Sequence, residues 1–151
     1  MARTKKSWRE KLEDSKELPK TIKPKGKNAK QYGSKMLVPA PIEVDAMMKK
    51  VRKGRVTTIA TLWEKLAESH GATSTCPLTC GIFAWIAAHA AQEAEDEGRK
   101  RITPWWRTLK TGGELNPKYP SGLQEQARRL RSEGHAIVKR GKRWFVDVVD
   151  C

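Results

Sequence analysis

The chain has 151 residues, 38% of them hydrophobic, with 31 Lys and Arg against 17 Asp and Glu for a net charge of +14. That length supports one modest core plus an extension. Three cysteines make no disulfide framework, the polar stretch from Met1 to Arg9 opens no secretory leader, and no apolar run approaches the roughly 18 to 20 residues of a membrane span. A reducing, cytoplasmic and nucleoid-associated location without a membrane is therefore expected.

The charge is concentrated at the front. Residues 1–55 hold 17 Lys and Arg against 6 Asp and Glu, whereas residues 56–151 hold 14 against 11. A basic front on a nearly balanced remainder reads as a basic N-terminal extension, residues 1–38, that grips a polyanion, followed by a folded domain, residues 39–151. Solubility is the other use of such charge, but clustered lysines favour nucleic acid.

In chain order, Ser7-Trp8-Arg9-Glu10 has the form of a capping box and opens a short helix from Trp8 to about Leu18, stopped by Pro19. Its few apolar residues require it to dock on the domain or to order on a partner. Lys20 to Lys35 carries Lys20, Lys23, Lys25, Lys27 and Lys30 with no acidic residue. It builds no core, and serves either as a solvated linker or as a set of phosphate contacts. Met36 to Pro41 is extended and apolar. A helix then runs from Pro41 to about Val51, with Ile42, Met47, Met48 and Val51 as the expected buried set.

Val56-Thr57-Thr58 leads into a second helix, with Thr57 or Thr58 as N-cap, Ile59, Leu62, Trp63 and Leu66 at helical spacing, and Gly71 as its stop. A third helix starts near Cys76-Pro77, carries Leu78, Ile82, Trp85, Ile86 and His89, and ends in the acidic run before Gly98. The pair has the look of a helix-turn-helix. After Pro104-Trp105-Trp106-Arg107 come a loop, a helix from about Ser121 to Ser132 closed by Gly134, and two alternating runs around Arg140-Gly141-Lys142. Those runs read as a hairpin with a basic tip.

No catalytic constellation emerges. Cys76 and Cys80 share a helix face, but two thiols are too few for a structural zinc site, and the three histidines lack metal spacing. Cys76 near a helix N-terminus has the position of an activated thiol, against the simpler reading of a small buried residue. There is no phosphate-binding glycine loop. What remains is the interleaving of Trp105, Trp106 and Tyr119 with Arg107, Lys110 and Lys118, which suits a stacked base held among phosphates; one of the two indoles is expected in the core.

From about Pro41 to Gly134 the order of motifs resembles the DNA-binding domain of the O6-alkylguanine-DNA alkyltransferases, and more closely their non-enzymatic relatives, the alkyltransferase-like proteins. Gly54-Arg55-Val56-Thr57-Thr58 is similar to the entry to the family's helix-turn-helix. Ile102-Thr103-Pro104-Trp105-Trp106-Arg107 is similar to its active-site signature. Tyr119-Pro120-Ser121-Gly122-Leu123, with Gln126, Leu130, Glu133 and Gly134, is similar to the loop and helix that follow. On this resemblance Trp105 stands at the alkyl-accepting cysteine and Trp106 at the activating histidine, so thiolate alkyl transfer has no nucleophile and no base. Ile59 replaces a tyrosine, and Leu78 and Thr79 stand where the family carries an arginine finger. Base flipping needs such compensation, of the order of a few kcal/mol.

The resemblance implies a mainly α fold with a small β-hairpin, a winged helix-turn-helix. It implies a non-enzymatic, monomeric DNA-binding protein that uses neither cofactor nor metal and binds duplex, including alkylated duplex. Other repair proteins are its implied partners. The expected nucleic-acid contacts are the arm lysines with Thr57, Thr58, Thr75, Leu78, Thr79, Arg107, Lys110 and Lys142. The expected base recess is Pro104, Trp105, Trp106, Tyr119 and Ser121. The alternative from another class is a general nucleoid- or RNA-associated binder without lesion recognition; an enzyme using Cys76 or Cys80 is a third.

Overall fold

A computed structural model describes residues 7–14, 17–26, 30 and 33–147. Among them the chain is mixed α/β, helices with three small sheets, where a mainly α chain with one hairpin is expected. Helix α1 (Trp8–Glu13) is shorter than its sequence signal, and Leu12 is its single buried residue. Ser7 Oγ accepts the Glu10 N–H at 3.1 Å, as the capping box requires. The helix docks on the domain, and Trp8 stacks on His89 at 4.5 Å and meets Trp85 edge-on at 4.8 Å.

Strand β1 (Lys20–Ile22) pairs antiparallel with β2 (Met36–Val38), and β2 pairs in parallel with β4 (Ser74–Thr75). Part of the lysine-rich stretch is thus stitched to the domain through backbone hydrogen bonds, while all three residues of β1 stay exposed. Only Leu37 of β2 is buried. The described residues of the lysine-rich stretch contribute bonds to the sheet, and none of them is buried, as its composition dictates.

Helix α2 (Pro41–Lys49) starts at Pro41, whose missing N–H costs nothing at a first helical position. Glu43 reaches back to accept the Ala40 N–H at 3.0 Å and bonds His70 at 2.6 Å through its other oxygen. The buried face is Pro41, Val44, Asp45 and Met48, whereas Ile42, expected in the core, is exposed. Asp45 occupies a core-facing position because Thr103 donates to it at 2.7 Å and Lys49 pairs with it at 3.0 Å.

Strand β3 (Thr57–Thr58) feeds helix α3 (Ile59–Ser69), capped by Thr58 Oγ1, which accepts the Thr61 N–H at 3.3 Å. Gly71 follows at φ 64°, the left-handed conformation that ends a helix. Helix α4 (Pro77–Asp96) spans 20 residues and crosses the whole domain. Its buried stripe is Cys80, Ala84, Ala87, Ala88, Ala90, Ala91 and Ala94. Leu78 and Ile82, read from sequence as part of the apolar face, are 74% and 44% exposed. The small side chains let α1, α2 and the Trp105 segment approach α4 closely, which large ones at the same positions would prevent.

The Trp pair forms a 3-10 turn (Trp105–Arg107) that runs into β5 (Thr108–Leu109), itself parallel to β3. Helix α5 (Gly122–Ser132) and the hairpin β6 (Ala136–Arg140) and β7 (Arg143–Asp147) complete the chain. The end of the expected second strand, Val148 and Val149, lies outside the described residues. Two cores result. The larger joins α1 to α4 with Trp105 and Tyr119; the smaller joins Leu109, Leu115, Ala127, Leu130 and Val146, and Trp106 packs against both.

Candidate nucleic-acid interface

The Trp pair is divided between two roles. Trp105 is 0% exposed and meets Tyr119 at 5.5 Å and Trp106 at 5.7 Å, both edge-on. It is a core residue and offers no face to a ligand, which corrects its expected place in a recess. Trp106 is half-buried between the guanidinium groups of Arg129 at 4.7 Å and Arg107 at 5.4 Å from its ring centre. Pro104 is buried and borders a cavity on the α1 side, beside Leu12 and Thr103.

Arg107 also departs from expectation. Its Nε and Nη2 donate to the two carboxylate oxygens of Glu133 at 2.9 and 2.6 Å, and Nη1 donates to the Val51 carbonyl at 2.8 Å. All three donor nitrogens are committed, so this residue latches the 3-10 turn to α5 and α2 and does not serve a phosphate. Burial is the largest influence on the Glu133 carboxyl and raises it, but the Arg107 hydrogen bonds and charge, together with the neighbouring Trp106 and His135, hold it below the ordinary range. Gln126 does similar work: fully buried, it donates to the Trp106 carbonyl at 3.2 Å and accepts the Asn116 N–H at 2.9 Å. The residues carrying the motif resemblance in this stretch are therefore frame residues.

An open surface lies on the other side of that frame. The first turns of α4 present Pro77, Leu78 and Ile82, followed by half-buried Trp85. Those side chains line a shallow groove completed by Pro117 with Lys110 and Lys118. Trp85 Nε1 and the His89 ring both bond the Lys118 carbonyl, at 3.0 and 3.2 Å, and so hold this loop against α4. Burial is the main influence on His89 and lowers its pKa.

Beside the groove is a recess of about 440 Å³. Ile59, Trp63, Gly81 and Ala84 form one wall. Tyr119, Asn116, Lys110, Arg143 and Glu114 also line it, and Glu114 pairs with Arg143 at 2.7 Å and with Lys110 at 3.8 Å. A Cβ at Gly81 would meet nothing within 4 Å, so the helix is open to the recess at that point. Of the residues expected in a base recess, Tyr119 lines this one, and Pro104, Trp105, Trp106 and Ser121 do not. Trp63, Gly81 and Arg143 escaped the sequence reading, since α3 shows only a helical stripe and Arg143 a strand start.

The other expected contacts scatter. Thr75 is buried and donates to the Trp63 carbonyl at 2.6 Å, Thr58 caps α3, and Thr57 is a strand residue paired with Thr108, so these three hold the scaffold. Thr79 donates to the Cys76 sulfur at 3.0 Å. Ser121 is exposed in the left-handed region at φ 61°. Lys142 stands exposed in the hairpin turn, and Lys20, Lys23, Lys25 and Lys30 are exposed as well; Lys27 lies outside the described residues.

Cys76 is half-buried and Cys80 buried. Burial pushes the Cys80 thiol up to about 12, opposite to what a nucleophile needs. Among the described residues no group of three His, Cys, Asp or Glu is placed to hold a metal, and no helix is long and apolar enough to cross a membrane.

No protein-family model and no curated protein matches the chain. A solved structure similar to it is the crystal structure of S. pombe Atl1 in complex with damaged DNA containing O6-carboxymethylguanine. The two are 20% identical, with a TM-score of 0.48 over 70% of this chain and 85% of that one.

Proposed function

We propose that the protein is a non-catalytic DNA-binding protein of the alkyltransferase-like type, a winged helix-turn-helix in which α4 enters the minor groove and the β6–β7 hairpin is the wing. The observation that carries this reading is the composition of the α4 surface. Leu78 and Ile82 are exposed one turn apart in a groove flanked by Lys110 and Lys118, beside a recess lined by Lys110, Arg143 and the Glu114 carboxylate that pairs with both. Apolar side chains on a groove-binding element press on sugars and base steps, while the flanking cations take phosphates. The contacts proposed are Leu78 and Ile82 for the groove, and Lys110, Lys118, Lys142 and the exposed arm lysines for the backbone. The recess, of a size common for ligand clefts, is proposed to take an extruded base, including an alkylated guanine, between Tyr119 and the Gly81 stretch of α4.

The test is an anisotropy panel of plain duplex, O6-methylguanine duplex, single strand and RNA at fixed salt, with wild type and Gly81→Leu. The reading expects the modified duplex to bind at least about tenfold more tightly than plain duplex, a difference of roughly 1.4 kcal/mol. Gly81→Leu, which fills the open wall, is expected to abolish that preference, read as the ratio of the two affinities because Gly81 also lines the groove. Equal affinity for both duplexes defeats the lesion reading. It favours the second one, a general nucleoid- or RNA-associated binder, for which the withdrawal of both indoles from the recess already argues.

A further inference from the structure

Between α2 and α3 lies a second cleft, of about 890 Å³, that the groove-binding face does not use. Its floor is Met47, Val51 and Leu62. Lys50, Arg52, Arg55 and Lys65 surround it, all exposed, and none has an ion-pair partner among the described residues. Glu68 is the only carboxylate in the lining. Five arginines elsewhere, Arg9, Arg107, Arg128, Arg129 and Arg143, are each paired with a glutamate, whereas Arg99, Arg101, Arg131 and Arg140, unpaired among the described residues, line no part of this cleft. The C-terminal end of α2 accounts for Lys50, since cations favour the negative end of a helix, but not for Arg52, Arg55 or Lys65.

The direction of the cleft matters as much as its charge. Trp63 faces the recess and Ser69 faces the cleft. Six residues apart on α3, they point about 120° away from each other around the helix axis. A duplex seated on α4 and a polyanion seated in the cleft therefore approach from different sides.

We infer that the α2–α3 cleft is a second phosphodiester-backbone site, through which one molecule holds two duplex segments at once. This rests on the reading of the α4 face as a DNA-binding surface. A sugar–phosphate backbone is the occupant the charge pattern favours: four unneutralised cations on a short perimeter match a run of closely spaced phosphates, with release of their counterions as the driving force.

The experiment asks whether the full-length protein retains a fluorescent duplex on beads that carry a different, biotinylated duplex. Three proteins are compared: wild type, the double variant Arg52→Glu/Arg55→Glu, and a charge-matched control, Arg99→Glu/Arg101→Glu, whose side chains are exposed and unpaired among the described residues at the far end of α4. Folding of each is checked by thermal melting, and affinity for a single duplex by anisotropy. The inference expects wild type and control to bridge. It expects the cleft variant to lose bridging at least about tenfold, while its single-duplex affinity falls no further than the control's. Equal loss in the control means that net charge alone acts, and overturns the site. Bridging that survives in the cleft variant overturns it too, as does preferential protection of the cleft by an acidic peptide, which would make this a protein-docking surface. If no duplex binds any of the three proteins, the α4 reading falls first and the cleft inference with it.

Discussion

The two ends of α4 have opposite fates. At its C-terminal end every described acidic group is used inside the molecule. Glu93 accepts the N–H groups of Trp8 and Arg9 at 3.1 and 3.4 Å and so caps α1, Glu97 takes Arg9 at 2.7 Å, and Asp96 takes Gln92 at 3.0 Å. Glu95 receives Arg129 at 2.5 and 3.1 Å. An acidic run that reads in sequence as a solvated helix end is thus the dock for α1 and α5. At the N-terminal end there is no acidic residue from Ser69 to Gln92, and the apolar side chains stand in solvent. One end closes the fold through its charges, and at the other Leu78 and Ile82 are left exposed. A single exposed leucine is ordinary, but Leu78, Ile82 and Trp85 recur at helical spacing and form a stripe.

The largest test of that contrast is to truncate one aromatic and one aliphatic residue that sequence alone treats alike. Trp105→Ala empties a fully buried site and is expected to cost about 3–5 kcal/mol. Leu78→Ala removes a side chain 74% exposed and is expected to change stability by no more than about 0.5 kcal/mol. Urea unfolding measures both. A Leu78 variant that destabilises by several kcal/mol would mean that the end of α4 is a packing surface after all.

The closed end is sharpened by pH. The Arg129 hydrogen bond is the chief cause of a lowered Glu95 carboxyl, and the bond from Arg128, with help from Arg129, that of a lowered Glu125. Glu133 is lowered against its burial, as described above. Because all three are depressed in the folded state, their stabilisation is complete above the unfolded value near 4.5 and is lost as pH falls through the folded values. Unfolding midpoints measured from pH 7 downward should stay level until about pH 5 and then fall. Arg129→Ala should cost about 1–2 kcal/mol at neutral pH, discounted because Glu95 is 38% exposed, and should flatten the acid limb. An unchanged acid limb in that variant would show that the α4–α5 bridge does not hold the closed end.

What the sequence made legible follows the range of each signal. The Thr58 cap, the Gly71 stop, the Gly134 exit at φ 95° and the hairpin about Gly141 are local, written within a few residues, and the structure has them. The buried face of α4 was not legible. Leu, Ile and Trp outrank Ala in any reading by hydrophobicity, yet close helix approach selects the alanines and leaves the larger side chains outside. Arg107 was misread for a related reason. Its partners Glu133 and Val51 are 26 and 56 residues away, and no local pattern distinguishes a latched arginine from a free one. The split of Trp105 from Trp106 has the same origin, since adjacent residues on a tight turn point to different layers.

The smallest expected effect lies in the loop that walls the recess. Ser121 and Gly122 hold φ of 61° and 75° in succession just before α5, a geometry that glycine adopts freely and a side chain resists. The left-handed conformation costs a serine about 1–2 kcal/mol, whereas glycine adds freedom to the unfolded chain worth about 0.5–1 kcal/mol. Ser121→Gly should therefore raise stability by no more than about 1 kcal/mol, while Gly122→Ala should lower it. The pair also separates two roles for Ser121, which is exposed and makes no cap hydrogen bond to α5. If its hydroxyl touches DNA, the stabilised variant must bind duplex more weakly. If the residue only closes the turn, stability rises and binding stays as it was, and the loop acts on the recess through Tyr119 and Asn116.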